Sequence, residues 1–294
     1  MRQFLVRLLA FLVVILVIFG LYRLITVQPL KPSDFFAQAK KTPLIIADTG
    51  RFTEAPPYTL AALGAAQQAG ADGFYLPIQL TRDGELVVLG QADLSQITER
   101  SGPVSQLTLS EVQSLDAGYR FDPAGDGTFP WRGQGQRVLS LQEILSLFPE
   151  ESIVVKVEVP GFASLAALLQ AADATGSRTR LLAIVDEQQL ANTLRSQASD
   201  LATANTSAEA AAFLATQRLR MTPFYRPAAP GLILDGDQVS RRLSNSAHSR
   251  GIQVLALANG QPSDVVDQWL DAGVDGIIVS DPQMILTLSS PGQP

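Results

Sequence analysis

The sequence predicts an α/β fold, a (β/α)8 barrel of the TIM type, with an N-terminal transmembrane helix ahead of it. Two observations support this prediction. From residue 43 onwards, eight short apolar runs rich in β-branched residues alternate with Ala- and Leu-rich stretches of helical periodicity. Ahead of them, residues 4–27 are apolar with few interruptions. Strands that alternate with helices favour a parallel sheet, and about 250 residues suit one barrel.

The strand candidates are short apolar segments bounded by turn residues. They are 43–48, 73–79, 152–158, 180–185, 200–204, 231–235, 252–258 and 276–280. Helical patterns follow most of them, at 58–69, 162–174, 187–197, 207–218, 238–250, 262–272 and 282–287. Together they place the barrel at 43–288. A doubly wound sheet is the alternative, but it calls for a glycine fingerprint after a strand, and the sequence has no G-x-G-x-x-G there.

Residues 1–28 predict a short cytoplasmic start followed by a transmembrane signal anchor. As a helix, residues 4–27 would extend about 36 Å, against a hydrocarbon core of about 30 Å. The uncharged centre, Leu8–Tyr22, has 15 residues, so Arg7 and Arg23 are expected to reach the two interfaces. A cleaved signal peptide is the alternative, although no small-x-small cleavage pattern follows.

The distribution of charge predicts an orientation and excludes one class of partner. Basic residues at the start favour a cytoplasmic N-terminus, which puts the globular part of a single-pass cell-membrane protein outside the cytoplasm. Residues 1–42 carry six basic side chains and one acidic one, and the whole chain has a net charge of −6. The remaining residues therefore hold −11, which is unsuited to nucleic acid. We expect residues 29–42 to form a stalk with one helical turn that Ser33 caps. Residues 289–294 are expected to form a disordered tail.

A long segment, about residues 90–140, interrupts the alternation after the second strand. A hairpin arm is expected just before it, at Glu85–Leu89. Its glycine-rich centre contains Phe129 and Trp131, which we expect either to cover the barrel mouth or to anchor the loop. Short capped helices are expected at 108–115 and 140–147.

The residue counts exclude several kinds of chemistry. The chain has no cysteine, which excludes disulfides, thiolate metal sites and a cysteine nucleophile. Its one histidine, His248, excludes any mechanism that needs two histidines as acid and base. His248 stands near the end of a helical pattern, where a solvated or C-capping role is expected.

Polar residues mark the carboxyl ends of the predicted strands, which is where barrels of this type place their chemistry. They are Asp48, Gln79, Lys156, Glu158, Asp186, Asn205, Asp235, Asn259 and Asp281. A group of carboxylates at one edge could hold a hard cation. However, Asp186, Asp235 and Asp281 each precede a helical pattern, where aspartate is an ordinary N-cap. We therefore expect caps there, and no metal ligand is predicted.

Four segments resemble the glycerophosphodiester phosphodiesterase family in their order and spacing. They are 58–90, 102–118, 137–149 and 251–285, so the resemblance covers about residues 43–285. It implies the same barrel fold. It also implies metal-assisted hydrolysis of a phosphodiester, with Ca²⁺ or Mg²⁺ and a pair of histidines as base and acid.

The catalytic positions that the resemblance implies hold other residues here. The family's His-Arg-Gly after the first strand is Asp48-Thr49-Gly50, and its later His-Asp pair is Gly90-Gln91. Neither histidine is present, and Thr49 replaces the phosphate-binding arginine. In the turn after the first strand, Pro-Glu-Asn-Thr becomes residues 56–59, Pro-Pro-Tyr-Thr.

The metal-binding positions are changed as well. Tyr75 and Pro77 replace a glutamate and an aspartate of the second strand. On the third strand, the family's glutamate and lysine appear in inverted order, as Lys156 and Glu158. Glu54 is the one possible substitute ligand. The tryptophan of the seventh strand is replaced by Ala256.

A retained frame with replaced site residues predicts a membrane-anchored pseudoenzyme that binds an unidentified small molecule or protein, without a cofactor. Its candidate pocket contains Asp48, Tyr75, Lys156 and Glu158. Lys156 is expected to pair with Asp48 or Glu158, and to repel a cation from the metal position. Two alternatives remain. One is a divergent phosphodiester hydrolase of lipid metabolism that uses Asp48 and Glu158; the other is a structural module of an envelope complex, with residues 117–137 as its contact surface.

Overall fold

The computed structural model describes residues 2–39, 41–52, 54–258, 263–280 and 284. Nine strands lie in these ranges: β1 Leu44–Ala47, β2 Gly73–Leu80, β3 Leu86–Val88, β4 Ser152–Val157, β5 Leu181–Ile184, β6 Ala202–Thr203, β7 Gly231–Asp235, β8 Gln253–Ala258 and β9 Gly276–Val279. All eight predicted barrel strands are confirmed, and β3 is the predicted hairpin arm, antiparallel to β2.

The eight parallel strands form a barrel. Their spatial order is β6-β5-β4-β2-β1-β9-β8-β7. The two ends of this order meet through a bridge between Ala204 and Gly231, where the Asn205 amide donates to the Gly231 carbonyl at 2.7 Å. The predicted TIM-type barrel is therefore confirmed, with its weakest seam beside the two-residue strand β6.

Ten helices lie in the described residues: α1 Arg2–Thr26, α2 Asp34–Ala37, α3 Leu60–Gln68, α4 Leu109–Gln113, α5 Leu141–Leu147, α6 Phe162–Ala174, α7 Gln188–Gln197, α8 Ser207–Arg218, α9 Arg241–His248 and α10 Ser263–Ala272. Capping boxes begin α4, α5 and α8, because each has Ser or Thr at the N-cap and Glu three residues later. The helix predicted at 282–287 and the predicted tail lie outside the described residues, apart from Met284.

Alternate residues of the strands fill the interior of the barrel. Leu44 and Ile46 of β1 cluster there with one buried side chain from each of five other strands, Val154, Leu182, Ala202, Leu255 and Ile278. Intervening residues such as Ile45 and Ala47 belong to the larger cluster between the sheet and its helices. This division follows from the two-residue period of a strand, which points successive side chains to opposite faces.

The N-terminal segment closes the base of the barrel, the end at which the strands begin. Phe35 of α2 is buried in the interior cluster. Arg250, which precedes β8, donates to the Val27 carbonyl at 2.9 Å and accepts from the Leu30 amide at 3.0 Å. The segment predicted as a stalk is thus packed against the barrel. Its helical turn is confirmed, but the predicted Ser33 cap is not, since that hydroxyl makes no capping bond.

Residues 2–26 form the helix expected at the N-terminus, α1. Among the residues that the structure describes, no helix combines the length and the apolarity needed to cross a membrane.

Candidate active site

Asp48 directly follows β1 at the barrel mouth, where the carboxyl ends of the strands meet. Its Oδ1 accepts a hydrogen bond from the Gly50 amide at 3.0 Å and another from the Tyr58 hydroxyl at 2.9 Å. Two donors therefore converge on one carboxylate oxygen. This arrangement holds the carboxylate against its own turn.

Tyr58 fills the space beside Asp48. Its side chain is 8% exposed, and its amide donates to the Thr49 hydroxyl at 3.2 Å. A Cβ at Gly50 would lie 2.2 Å from the Tyr58 hydroxyl oxygen, and one at Gly90 would lie 3.1 Å from its ring. The ring thus occupies the room left by two glycines, Gly50 of the turn after β1 and Gly90 at the position of the family's later histidine.

Sequence reasoning did not select Tyr58 as a site residue, although one signal was available. Tyr58 has φ +57°, a left-handed conformation that asparagine tolerates and bulky residues rarely adopt. The family turn carries asparagine at this position. A tyrosine there indicates that contacts made by its side chain offset the backbone strain.

Both tyrosines of the mouth are poor proton donors. Burial, and then the negative charge of Asp48, raise the pKa of the Tyr58 phenol far above its ordinary value of 10.0. Burial also raises the pKa of Tyr75, with further contributions from Asp48 and Glu158. Each phenol therefore stays protonated at neutral pH and is too weak an acid to match a leaving group.

Lys156 pairs with Glu158, one of the two carboxylates expected as its partner. Their side-chain nitrogen and oxygen are 2.9 Å apart, and the side chains are 42% and 25% exposed. Strand periodicity explains the pair. Lys156 lies on β4 and Glu158 directly follows that strand, and residues two apart in extended chain point to the same face. The Lys156 ammonium consequently neutralises the carboxylate nearest to it.

A cavity of about 600 Å³ opens beside this pair. It is lined by Tyr75 and Lys156 and, on neighbouring strand ends, by Asp186, Asn205 and Asp235. Both amide atoms of the Asn205 side chain are buried without a hydrogen-bond partner. A buried amide of this kind is suited to a polar ligand, because it can donate and accept at once.

Asp186 does not cap the helix that follows it, contrary to the sequence prediction. Its Oδ1 accepts from the Ser207 amide at 2.7 Å, at the start of α8. The bond to Ser207, and more weakly the charge of Lys156, lower the pKa of Asp186. Neighbouring parallel strands bring the loop after β5 beside the start of α8. The Asp186 carboxylate therefore bonds the first turn of the helix of the next strand–helix unit. Asp235 does precede a 3-10 turn, but its side chain does not cap it.

The residues of the mouth do not fit the divalent cation that the family resemblance implies. The described part of the chain contains no group of three His, Asp or Glu side chains that could hold a metal. Glu54, the possible substitute, is exposed in the loop after β1. A Ca²⁺ or Mg²⁺ site needs several converging oxygens, whereas Glu158 is already paired with Lys156.

The other predicted residues lie apart from a catalytic arrangement. Thr49 is fully buried and accepts from Tyr58, and Gln91 is exposed. His248 lies at the end of α9, and its Nε2 is 2.7 Å from Asp275, so it is an ion-pairing residue at the base. Asn259 and Asp281 lie outside the described residues.

The long segment at about residues 90–140, called the excursion below, is held together by its own aromatic residues. The Arg132 guanidinium lies 4.0 Å from the centre of the Phe129 ring and 4.1 Å from that of Tyr119. Trp131 packs so closely on Gly118 that a Cβ there would lie 2.5 Å from the Trp131 carbonyl oxygen. Of the two roles expected for Phe129 and Trp131, these contacts favour anchoring the loop.

Comparison with known proteins agrees with this fold. A glycerophosphodiester phosphodiesterase of Caldanaerobacter subterraneus is 26% identical over 263 residues, which cover 85% of this chain and 98% of that protein. The solved glycerophosphoryl diester phosphodiesterase domain of an uncharacterized Mycobacterium tuberculosis protein superposes with a TM-score of 0.72 at 20% identity, covering 85% of this chain and 98% of that domain.

A second solved structure is an Oleispira antarctica phosphodiesterase in complex with the product sn-glycerol-3-phosphate. It has a TM-score of 0.66 at 19% identity, and the match covers 84% of this chain and 96% of that one. The model of the glycerophosphoryl diester phosphodiesterase family matches residues 50–284. On this match over most of its length, the chain belongs to the glycerophosphoryl diester phosphodiesterase family.

Proposed function

We propose that this chain is a membrane-anchored member of the family that binds a small polar ligand at the barrel mouth and does not hydrolyse phosphodiesters. The observation that carries the proposal is the contact of the Tyr58 hydroxyl with Asp48. A protonated phenol occupies the space between the first turn and Gly90. The same contact engages the carboxylate that stands at the position of the family's first histidine.

Hydrolysis of a phosphodiester needs a base for the attacking water and an acid for the leaving oxygen. At the mouth, the groups nearest these roles are Asp48, bonded to Tyr58, and Glu158, paired with Lys156. The raised pKa of Tyr58 makes that phenol a weak acid. Neither half of an acid–base pair is therefore available at Asp48.

The cavity beside β4 supports binding of a polar molecule. Lys156, Asp186 and Asp235 line it with charged groups, and the side-chain amide of Asn205 has no hydrogen-bond partner. Polar groups that converge on a cavity fix the orientation of a ligand. A neutral polyol matches this lining best, because its hydroxyl groups can donate to the two carboxylates and bond both atoms of the Asn205 side-chain amide.

Membrane anchoring is supported by the surface of α1. The helix has 25 residues, and its described apolar side chains from Phe4 to Tyr22 are exposed on every face. An apolar surface of this extent is stable only in an apolar environment. The short uncharged centre suits a bilayer that thins locally around the helix.

Assays of the purified full chain test the catalytic part of the proposal. With glycerophosphocholine and Ca²⁺ or Mg²⁺, we expect no release of glycerol 3-phosphate above the rate without protein. Calorimetric titration with each cation should show no saturable heat. Turnover that is lost in both Asp48→Asn and Glu158→Gln would overturn the proposal, provided that both variants unfold like the wild type.

A divergent hydrolase is the second candidate. It is favoured by the Caldanaerobacter relative, which matches 98% of its length and is named a glycerophosphodiester phosphodiesterase. In this case Glu158 would have to leave Lys156. The variant Lys156→Met frees the Glu158 carboxylate, so a hydrolase should change its rate of phosphodiester hydrolysis. The binding proposal expects no hydrolysis by either the wild type or the variant.

A further inference from the structure

We propose that a corner of the barrel base docks on an anionic lipid surface. This basal corner consists of Leu219 and Met221, at the end of α8 and just after it, together with five surrounding arginines, Arg218, Arg220, Arg226, Arg241 and Arg242. The inference rests on the proposed membrane anchoring by α1. It adds a second contact with the bilayer, made by the folded domain itself.

The apolar part of the corner is exposed and faces α1. Leu219 is 70% exposed and Met221 is 48% exposed. Both line a groove of about 760 Å³ together with Leu16 and Phe19 of α1. An exposed apolar patch rimmed by polar residues marks a membrane or protein contact. Continuity with an apolar helix favours lipid.

The charge of the corner is opposite to that of the chain. Residues 217–226, QRLRMTPFYR, contain three arginines and no acidic residue, while the whole chain has a net charge of −6. Arg220 shares a second groove, of about 610 Å³, with Arg241 and Arg242 of α9. The ion pairs found in the described parts of the chain do not involve these arginines. Arg241 donates to the Asp271 backbone carbonyl at 3.0 Å, whereas the guanidinium groups of the other four arginines are available to lipid phosphates.

The geometry of the chain places the corner at the level of the bilayer. Phe19 lies eight positions before Val27, where the chain enters the barrel base and its carbonyl binds Arg250. Eight residues of helix extend about 12 Å. The corner therefore lies beside the final turns of α1, and a bilayer that receives α1 also meets Leu219 and Met221.

The absence of cysteine from the sequence permits a direct test. Met221→Cys in the full chain gives a single site for a polarity-sensitive dye. Ala124→Cys, in an exposed loop of the excursion, gives a matched control. In phosphatidylcholine vesicles whose lipid tails carry bromine, we expect strong quenching of the dye at 221 and little at 124. Phosphatidylglycerol should increase quenching at 221.

Charge neutralisation tests the role of the arginines. Each of Arg218→Gln, Arg226→Gln and Arg242→Gln should lower the ratio of docked to free corner about fivefold in vesicles with phosphatidylglycerol. The corresponding lysine variants should retain most of the docking, because they keep the charge. Arg100→Gln, an exposed change in the excursion, should have no effect.

Flotation with the same vesicles separates this inference from the proposed anchoring. Chains that float while the dye at 221 stays unquenched overturn the docking and leave the anchor intact. Chains that do not float overturn both. Quenching at 221 that ignores phosphatidylglycerol and the arginine variants overturns the anionic part and limits the corner to apolar contact.

Discussion

The mouth and the base of this barrel use their charged and aromatic residues in different ways. At the mouth, the side chains bond one another over short distances. The Tyr58 hydroxyl donates to Asp48, and Lys156 forms an ion pair with Glu158. At the base, Phe35 closes the interior, and Arg250 holds the incoming chain through its backbone. Elsewhere on the base, arginines and apolar side chains face outward.

The difference shows where the chain departs from the general use of its fold. Barrels of this type place chemistry at the mouth and stability at the base. Here the mouth also acts in stability, because its aspartate and tyrosine bind one another. The base also holds the N-terminal segment, because Arg250 bonds the backbone of that segment at Val27 and Leu30.

The largest effect is expected for Phe35→Ala at the base. Removing a fully buried phenylalanine should lower the free energy of unfolding by about 3–5 kcal/mol. Phe162→Ala, at the mouth and 62% exposed, is the matched control and should cost little. Urea unfolding in detergent, followed by tryptophan fluorescence, measures both. Equal losses would show that the base is not plugged by α2.

Gly251→Ala tests the contact between the base and the incoming chain. A Cβ at Gly251 would lie 2.3 Å from the Leu30 carbonyl oxygen, and Gly251 has φ +72°. Gly176→Ala shares the left-handed backbone, with φ +61°, but its Cβ meets open space. We expect Gly251→Ala to cost about 1–3 kcal/mol more than its control, since only it overpacks a contact. No difference in the urea midpoint would contradict the packing of Leu30.

Tyr58→Phe tests the paired mouth. Loss of a hydrogen bond to a carboxylate should lower the free energy of unfolding by about 1.5–3 kcal/mol. Tyr225→Phe is the control, because its hydroxyl donates to the backbone carbonyl of Glu209, an uncharged acceptor, at 3.2 Å. A smaller loss is expected there. If the two variants unfold at the same urea concentration, the bond to Asp48 stabilises the fold no more than the bond from Tyr225 to an uncharged carbonyl.

The smallest effect is expected for the histidine at the base. The hydrogen bond that His248 donates to the Asp275 carboxylate raises the pKa of His248 above its ordinary value of 6.5. The pair therefore stabilises the fold fully below pH 6.5, and this contribution is lost as the pH rises through the raised value. Because His248 is 39% exposed, the change should stay below about 1 kcal/mol. In His248→Gln, unfolding measured across neutral pH should lose this slope; an unchanged slope would assign it to another group.

Local periodicity accounts for the parts of the site that could be predicted. Of the two partners expected for Lys156, Asp48 and Glu158, the structure shows Glu158, which stands two residues further along the same strand direction. The glycines at 70, 176, 251 and 273 stand just beyond predicted helical patterns, where a helix C-terminus favours glycine, and all four have positive φ. These features depend on neighbours in the chain, which a sequence pattern records directly.

The features that were missed depend on contacts between distant parts of the chain. Tyr58 touches Gly90 across a whole strand and hairpin, and Asp186 caps the helix of the next unit. Phe35 enters the barrel from outside it. No periodicity encodes such contacts, because they arise only when the strands close into a ring.

The sequence by itself determined the barrel through its period and order and the single histidine through its composition, and its resemblance to a known family marked the replaced site residues. Only the tertiary structure decided what fills the emptied mouth and what covers the base. The physical reason is packing: a side chain such as Tyr58 adopts a strained backbone only where surrounding residues, here Asp48, Gly50 and Gly90, leave room for its ring and bind its hydroxyl.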